Sequence, residues 1–339
     1  MIVNSVLNLI SKQSLLFMLR KTTLLITCLS ISLNLLAQQK TQVDVYSLSD
    51  FPEPTNSGKI ELKAYTNYVV HGSINLGESY IEMNGGALTG VDPQKDGITS
   101  KVPGPIVRSK RKMVYLDKLQ IIVGSDQGSG FLFEDPSQKR YCNLFNGVSV
   151  LDAPGVSSKG VGTISGFNVI SIELNYYNTE DGLKIGGNIN KFLSTINYFV
   201  GLNRGIGIEF LDGTNIGEVI IKDNYIVAEK NRSNVGVKVN SGANIGRGRM
   251  NNCLFGDIEM PLKGITSYTP GWEMRANGKG IPDTRVEATL FMTGNTKATE
   301  FSEENQFKRI RGNTQSKTQN KLKLEGNNKV VYVGEKKQS

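Results

Sequence analysis

An asparagine followed by an apolar residue keeps returning through the middle of this chain. It stands in IELNYYN (172–178), TINYF (195–199), KDNYI (222–226) and MNNCLF (250–255), as Asn175, Asn197, Asn224 and Asn252. A second set runs between them: DGLKIGG (181–187), GIGIEFLDG (205–213), VGVKVNSG (235–242) and KGITSY (263–268). Its central apolar positions are Leu183, Ile208, Val237 and Ile265. Both sets recur at 22 to 29 residues. Self-similarity at that period marks a chain that stacks one supersecondary unit on the next.

The unit is built of strands. VGVKV, GIGIEF, EVIIK and GLKIGG are short, rich in β-branched residues and bounded by Gly or Asn, which favours strands over helices. No sustained 3.6-residue apolar stripe occurs after residue 37. One unit therefore reads as a strand ending in Asn, a loop, and a second strand opened by Gly. Coils of such a solenoid stack about 4.8 Å apart. An amide at the same corner of each coil can bond upward and downward as a ladder, and Asn tolerates the left-handed backbone of a sharp corner. The expectation is an all-β chain, a right-handed single-stranded parallel β-helix.

Upstream, NYVVHGSINLG (67–77), SYIEMNGGALTG (79–90) and YLDKLQIIVGS (115–125) read as further wall strands, and KVPGPIVRSKRK (101–112) as a basic loop. SDQGSGFLFEDPSQKRYC (125–142) reads as a coil carrying an excursion. The solenoid is expected over 55–268, with 38–54 as an N-terminal cap or linker shielding the open edge. Beyond Trp272, ATLFMTGN, NQFKRIRGN, NKLKLEGN and KVVYVG alternate between Gly-Asn turns. They predict a short C-terminal β meander within a β-rich segment, 269–339, that ends in a basic tail.

Residues 1–37 lack acids and carry Lys12, Arg20 and Lys21 before the apolar run TTLLITCLSISLNLLA. That is the layout of a secretory signal, with Met18 as the expected start and cleavage after Ala37. Its removal lowers the net charge from +8 to +5, and residues 296–339 account for that excess. The tail lacks aromatic interleaving, so no nucleic-acid partner is expected. Secretion to the extracellular space or cell surface, or to a periplasm, follows, with no integral membrane segment after cleavage. Cys142 and Cys253 lie about four coils apart, too far for a disulfide, and are expected as free thiols. With His71 the only histidine, a histidine-rich metal site is excluded.

NYVVHGSINLGESYIEMNGGALTG and the Asn-bearing coils resemble right-handed parallel β-helix proteins of the pectin-lyase-like superfamily. GWEMRANGKGIPDTRVEATLFMTGNTKATEF is similar to the region after the β-helix in bacteriophage-type tail or appendage proteins. The first resemblance implies enzymes acting on acidic polysaccharides, either calcium-dependent lyases or hydrolases with paired carboxylates. NTEDG (178–182) resembles the Asn-Thr-Asp-Gly motif of the hydrolases with one residue inserted; their Asp-Asp, Gly-His-Gly and Arg-Ile-Lys motifs do not occur.

The residues left for chemistry are Glu180, Asp181, Arg204 and Asp223, each of which also reads as an ordinary corner or loop residue. Arg204, Arg247, Arg249 and Trp272 are the glycan-binding candidates, by guanidinium–carboxylate pairing and ring stacking. No metal ligand set is evident, and calcium enters only under the lyase alternative, through Asp126, Glu134 and Asp135. The leading expectation is a secreted, non-enzymatic β-helix, structural or adhesive, that binds a surface glycan or partner chains, including copies of itself. The alternative is a polysaccharide lyase or glycoside hydrolase.

Overall fold

A computed structural model describes residues 41–251 apart from 178–180, 203–204, 223, 229–234 and 241, together with strand segments 254–256, 260–263, 272–275, 285–287, 290–292 and 309–311. The expected secretory signal, 1–37, lies outside them. The described chain is all-β, with one 3-10 turn at Leu48–Asp50, and every strand pairing is parallel. Each coil places one strand in each of three sheets, here walls I, II and III. Thr66–Val70, Ser73–Asn75 and Tyr80–Glu82 are the three strands of an early coil. Among the described residues wall I has twelve strands, and walls II and III nine each.

The repeat thus contains three strands where the pattern suggested two. The strand that ends near each Asn and the one that follows, such as Asn188–Thr195 and Tyr198–Leu202, belong to different walls. The corner between them is only two residues long and holds neither Gly nor Pro, so the sequence runs through it without punctuation. The segment 101–112 is also corrected: Pro105–Lys110 is a wall III strand, with proline as its first residue, where its missing N–H costs least.

Register keeps like positions in line. Ile60, Ile81, Val107 and Phe131 follow one another up the inside of wall III, then Gly162, Leu183, Ile208 and Val237. All of these but the glycine are buried in one continuous core. Gly162 is required, because a side chain there would run into the carbonyl and ring of Phe131. Leu262, not Ile265, continues the column beyond Val237. On wall II, Ile74, Ile98, Ile121 and Val150 form the matching inner row.

The N-terminal end departs from a simple cap. Thr41–Val45 is already a wall I strand, pairing with Thr66–Val70, so the solenoid opens before residue 55. Val45 and Phe51 close the end of the core, Phe51 stacking on Tyr68 with centroids 5.8 Å apart. His71 lies 2.9 Å from Asp44 and stacks on Tyr46 at 4.6 Å, tying this first strand to the next coil. At the other end, Trp272–Arg275 and Arg285–Glu287 pair with wall I, Leu290–Met292 with wall II, and Arg309–Arg311 with Arg285–Glu287, all in parallel. In the described segments the expected meander is therefore a continuation of the stack. Period-two alternation and Gly-Asn corners serve a solenoid as well as a hairpin, so the sequence could not separate them.

Candidate functional site

The Asn corner lies between walls I and II, and its geometry differs from a simple amide ladder. Oδ1 of Asn197 accepts the backbone N–H of Leu174 at 2.8 Å, and Oδ1 of Asn224 accepts the N–H of Asn197 at 3.0 Å. Both amides donate to the Ser194 hydroxyl, at 2.6 and 2.7 Å. Asn197, Asn224 and Ser194 are fully buried. Each amide thus ties its coil to the backbone of the coil below, satisfying donors that the dry corner would otherwise strand.

Asn175 is not part of this column. Register sets it opposite Ser149 and Tyr198, one residue further on, and its Oδ1 is buried without a hydrogen bond. Asn252 lies outside the described residues. Nor does the Asn take the left-handed backbone: that falls to Lys118, Glu173 and Ile196, each immediately before the column position, and to Asn146 and Gly147 before Val148.

One amide-to-amide rung does exist, at the start of the wall I strands. Asn188, Asn215 and Asn244 are in register, and Asn244 donates to Asn215 at 3.2 Å. The signal was the Asn-Ile pair at 188, 215 and 244, which the Asn-plus-apolar reading passed over because each pair sits inside a long strand.

Of the residues singled out for catalysis, Asp181 is described, and Glu180, Arg204 and Asp223 lie outside the described residues. Asp181 sits at the corner between walls II and III. Its carboxylate pairs with Lys184 at 2.8 Å and accepts the N–H of Ile206 at 3.3 Å, and its carbonyl accepts the N–H of Val161. It binds the coils on either side. Arg247, Arg249 and Trp272 are described only as backbone: the arginines on the wall I strand Asn244–Asn251, Trp272 at the head of its neighbour.

Two buried acids are likewise spent on structure. Asp96 accepts N–H groups of Gly72, Val91 and Asp92 at 2.7 Å each. Asp135 accepts from the Ser137 hydroxyl and backbone and pairs with Arg140 at 3.0 Å. Burial works to raise both carboxyls, but the donated hydrogen bonds, and Arg140 for Asp135, hold them below the usual carboxylate range. Asp126 takes the N–H of Ser157. Among the described residues no three His, Cys, Asp or Glu side chains gather as a metal site. Cys142 is a free thiol whose pKa burial in the core pushes up; Cys253 lies outside the described residues.

The outer side of wall I carries a second buried cluster. Ala87, Tyr115, Asn143, Ile170 and Leu193 occupy one outward column, in successive strands. Ala87, Tyr115, Ile170 and Leu193 form a second apolar cluster with Phe145, bordered by Met113, Ile172 and Ile220. All five column residues are buried although they face away from the core. Both polar atoms of the Asn143 amide are buried without a hydrogen bond. Tyr115 packs edge-on to Phe145, and Asp117 beside it accepts from Asn146 at 2.9 Å. Burial raises the Asp117 carboxyl and, with the Asp117 charge, the Tyr115 hydroxyl.

Comparison with protein-family models, curated proteins and solved structures returns no match. The parallel β-helix rests on the topology alone. Among the described residues no helix is long and apolar enough to cross a membrane.

Proposed function

We propose that this protein is an exported, non-enzymatic β-helix, structural or adhesive, that works by contact with a surface glycan or with partner chains. The observation that supports it most is the use made of the acids. Asp181 bonds the coils on either side of it, Asp96 holds three backbone N–H groups, and Asp135 is spent on Ser137 and Arg140. That is the work of a scaffold rather than of acid–base catalysis. The outward Asn143 column, being buried, stiffens wall I and is not itself the contact face.

The test is to incubate the purified protein with immobilised neutral and uronate glycans, measuring retention, unsaturated products and new reducing ends. Retention without products is expected, weakened in Arg247→Ala with Arg249→Ala. Products that vanish in Asp181→Asn would establish the lyase or hydrolase alternative in its place, with calcium dependence marking the lyase.

A further inference from the structure

The corner between walls III and I carries a feature that the contact reading does not use. Three coils present basic side chains along it: Lys63 in one, Lys110, Arg111 and Lys112 two coils higher, and Lys139 in the next. All five are exposed. The stretch from Gly97 to Leu116 holds five basic residues and no acid, so the charge is concentrated rather than balanced along the chain. Among the described residues none of the five lies within ion-pair distance of a carboxylate. Of the nearby acids, Glu61 is taken by Lys59 at 2.6 Å, Glu82 is half-buried, Glu134 faces Lys110 in register, and Asp135, in the corner itself, is buried and paired with Arg140 at 3.0 Å.

Aromatic and apolar side chains run beside the charges. Tyr65, 60% exposed, precedes the wall I strand 66–70; half-buried Met113 precedes 114–117; Tyr141, 42% exposed, opens 141–145. Stacked at about 4.8 Å per strand, Tyr65 and Tyr141 are about 14 Å apart along the axis. Two residues of this edge take the left-handed backbone, Tyr65 at φ 59° and Arg111 at φ 60°. That left-handed conformation costs a non-glycine residue about 1–2 kcal/mol. One level down, the Lys112 stem lies over Gly85, which in turn adjoins Ala64, so small residues leave the lysine room at the crest.

We infer that this corner is a docking ridge for an anionic lipid surface. Lysine and arginine beside tyrosine is the composition that settles at a charged headgroup layer, where the ammonium and guanidinium groups meet phosphate and the ring sits at the polar–apolar boundary. The tyrosines decide between a lipid surface and a polymer strand: exposed Tyr65 and Tyr141 have a polar–apolar boundary to occupy at a headgroup layer and none along a polyanion chain. The inference is independent of glycan binding by wall I.

The experiment is co-sedimentation of the purified protein with vesicles, one set of phosphatidylcholine alone and one with phosphatidylglycerol in equal part. Partition onto the anionic set only, falling as salt is raised, is expected. Lys110→Glu with Lys112→Glu lowers it by at least about thirtyfold, since each basic residue near such a surface contributes about fivefold. Tyr65→Asn, which suits the left-handed backbone, lowers it severalfold, with an unchanged circular dichroism spectrum in both variants. Equal partition onto both vesicle sets, or a charge-reversed variant that binds as the parent does, would overturn the inference. So would displacement from vesicles by polygalacturonate or single-stranded DNA at far lower charge concentration than the lipid, which would make the ridge a polymer site.

Discussion

The corner between walls I and II is built in two ways within one molecule. Register sets Gly72, Asp96, Leu119, Val148, Leu174, Asn197 and Asn224 at the same place in successive coils. At both ends a side-chain oxygen reaches down to a backbone N–H: Asp96 to Gly72 at 2.7 Å, Asn197 to Leu174 at 2.8 Å, Asn224 to Asn197 at 3.0 Å. In the middle, Leu119, Val148 and Leu174 fill the position with buried apolar side chains. Stacking therefore does not need an amide at every level. It needs an acceptor wherever a backbone donor points into the dry corner, and a carboxylate meets that need as well as a carboxamide does.

Replacing Asn197 by Leu extends the apolar run upward and is the sharpest test of that statement. It strands the Leu174 N–H and a Ser194 bond, so a loss of about 3 kcal/mol is expected in urea unfolding. An unchanged midpoint would show the two forms to be interchangeable. Asp96→Asn keeps the shape but turns an amide toward N–H donors, costing about 2 kcal/mol at neutral pH. The two ends should also part company in acid. Asp96, for all that burial raises it, is held below its ordinary pKa by three N–H donors. Its contribution is therefore complete above its unfolded value and lost as pH falls from about 4 through the folded one. Asn197 does not titrate. Unfolding followed between neutral pH and about pH 3 should show a smaller loss in Asp96→Asn than in the parent protein.

A gain is expected at Ile196, a β-branched residue at φ 56° and 38% exposed. Ile196→Asn should raise stability by about 1 kcal/mol, seen as a higher melting temperature. The smallest effect belongs to Asn175. With its Oδ1 already unbonded, Asn175→Ala should lie within about 0.5 kcal/mol of the parent; a loss like that of Asn197 would put Asn175 in the column after all.

These contrasts show which parts of the fold were legible. The period was, because coils of 22 to 29 residues repeat strands and corners however their side chains vary. The inner column of Leu183, Ile208 and Val237 was legible for the same reason. Exact register was not: Asn175 and Asn197 differ by one residue in place, and a slip of one is invisible when both neighbours are apolar or aromatic. Nor could Asp96 be grouped with Asn197, since the equivalence rests on an acceptor oxygen and not on a residue type. The outer face of wall I escaped because it is assembled from side chains contributed singly by coils about 25 residues apart; of the ridge, the basic run at 101–112 was visible, and the lysines and tyrosines that other coils set beside it were not. Asp181 was visible as a corner residue, and its bonds to neighbouring coils give it structural work.

Register has a further consequence for how this molecule can change size. Asn188 and Asn215 occupy equivalent places, and the N–H of Asn215 already donates to the carbonyl of Gly187 at 3.0 Å. Excising residues 188–214 would splice Gly187 to Asn215 where the chain expects that very neighbour. Asn224 would then rest on Leu174, inheriting the duty of the lost Asn197. Genetic loss or gain is accordingly absorbed in whole storeys or, as the 22- to 29-residue spread of the coils shows, in the loops, whereas loss of one residue inside a strand would turn the side chains after it in that strand onto the wrong face.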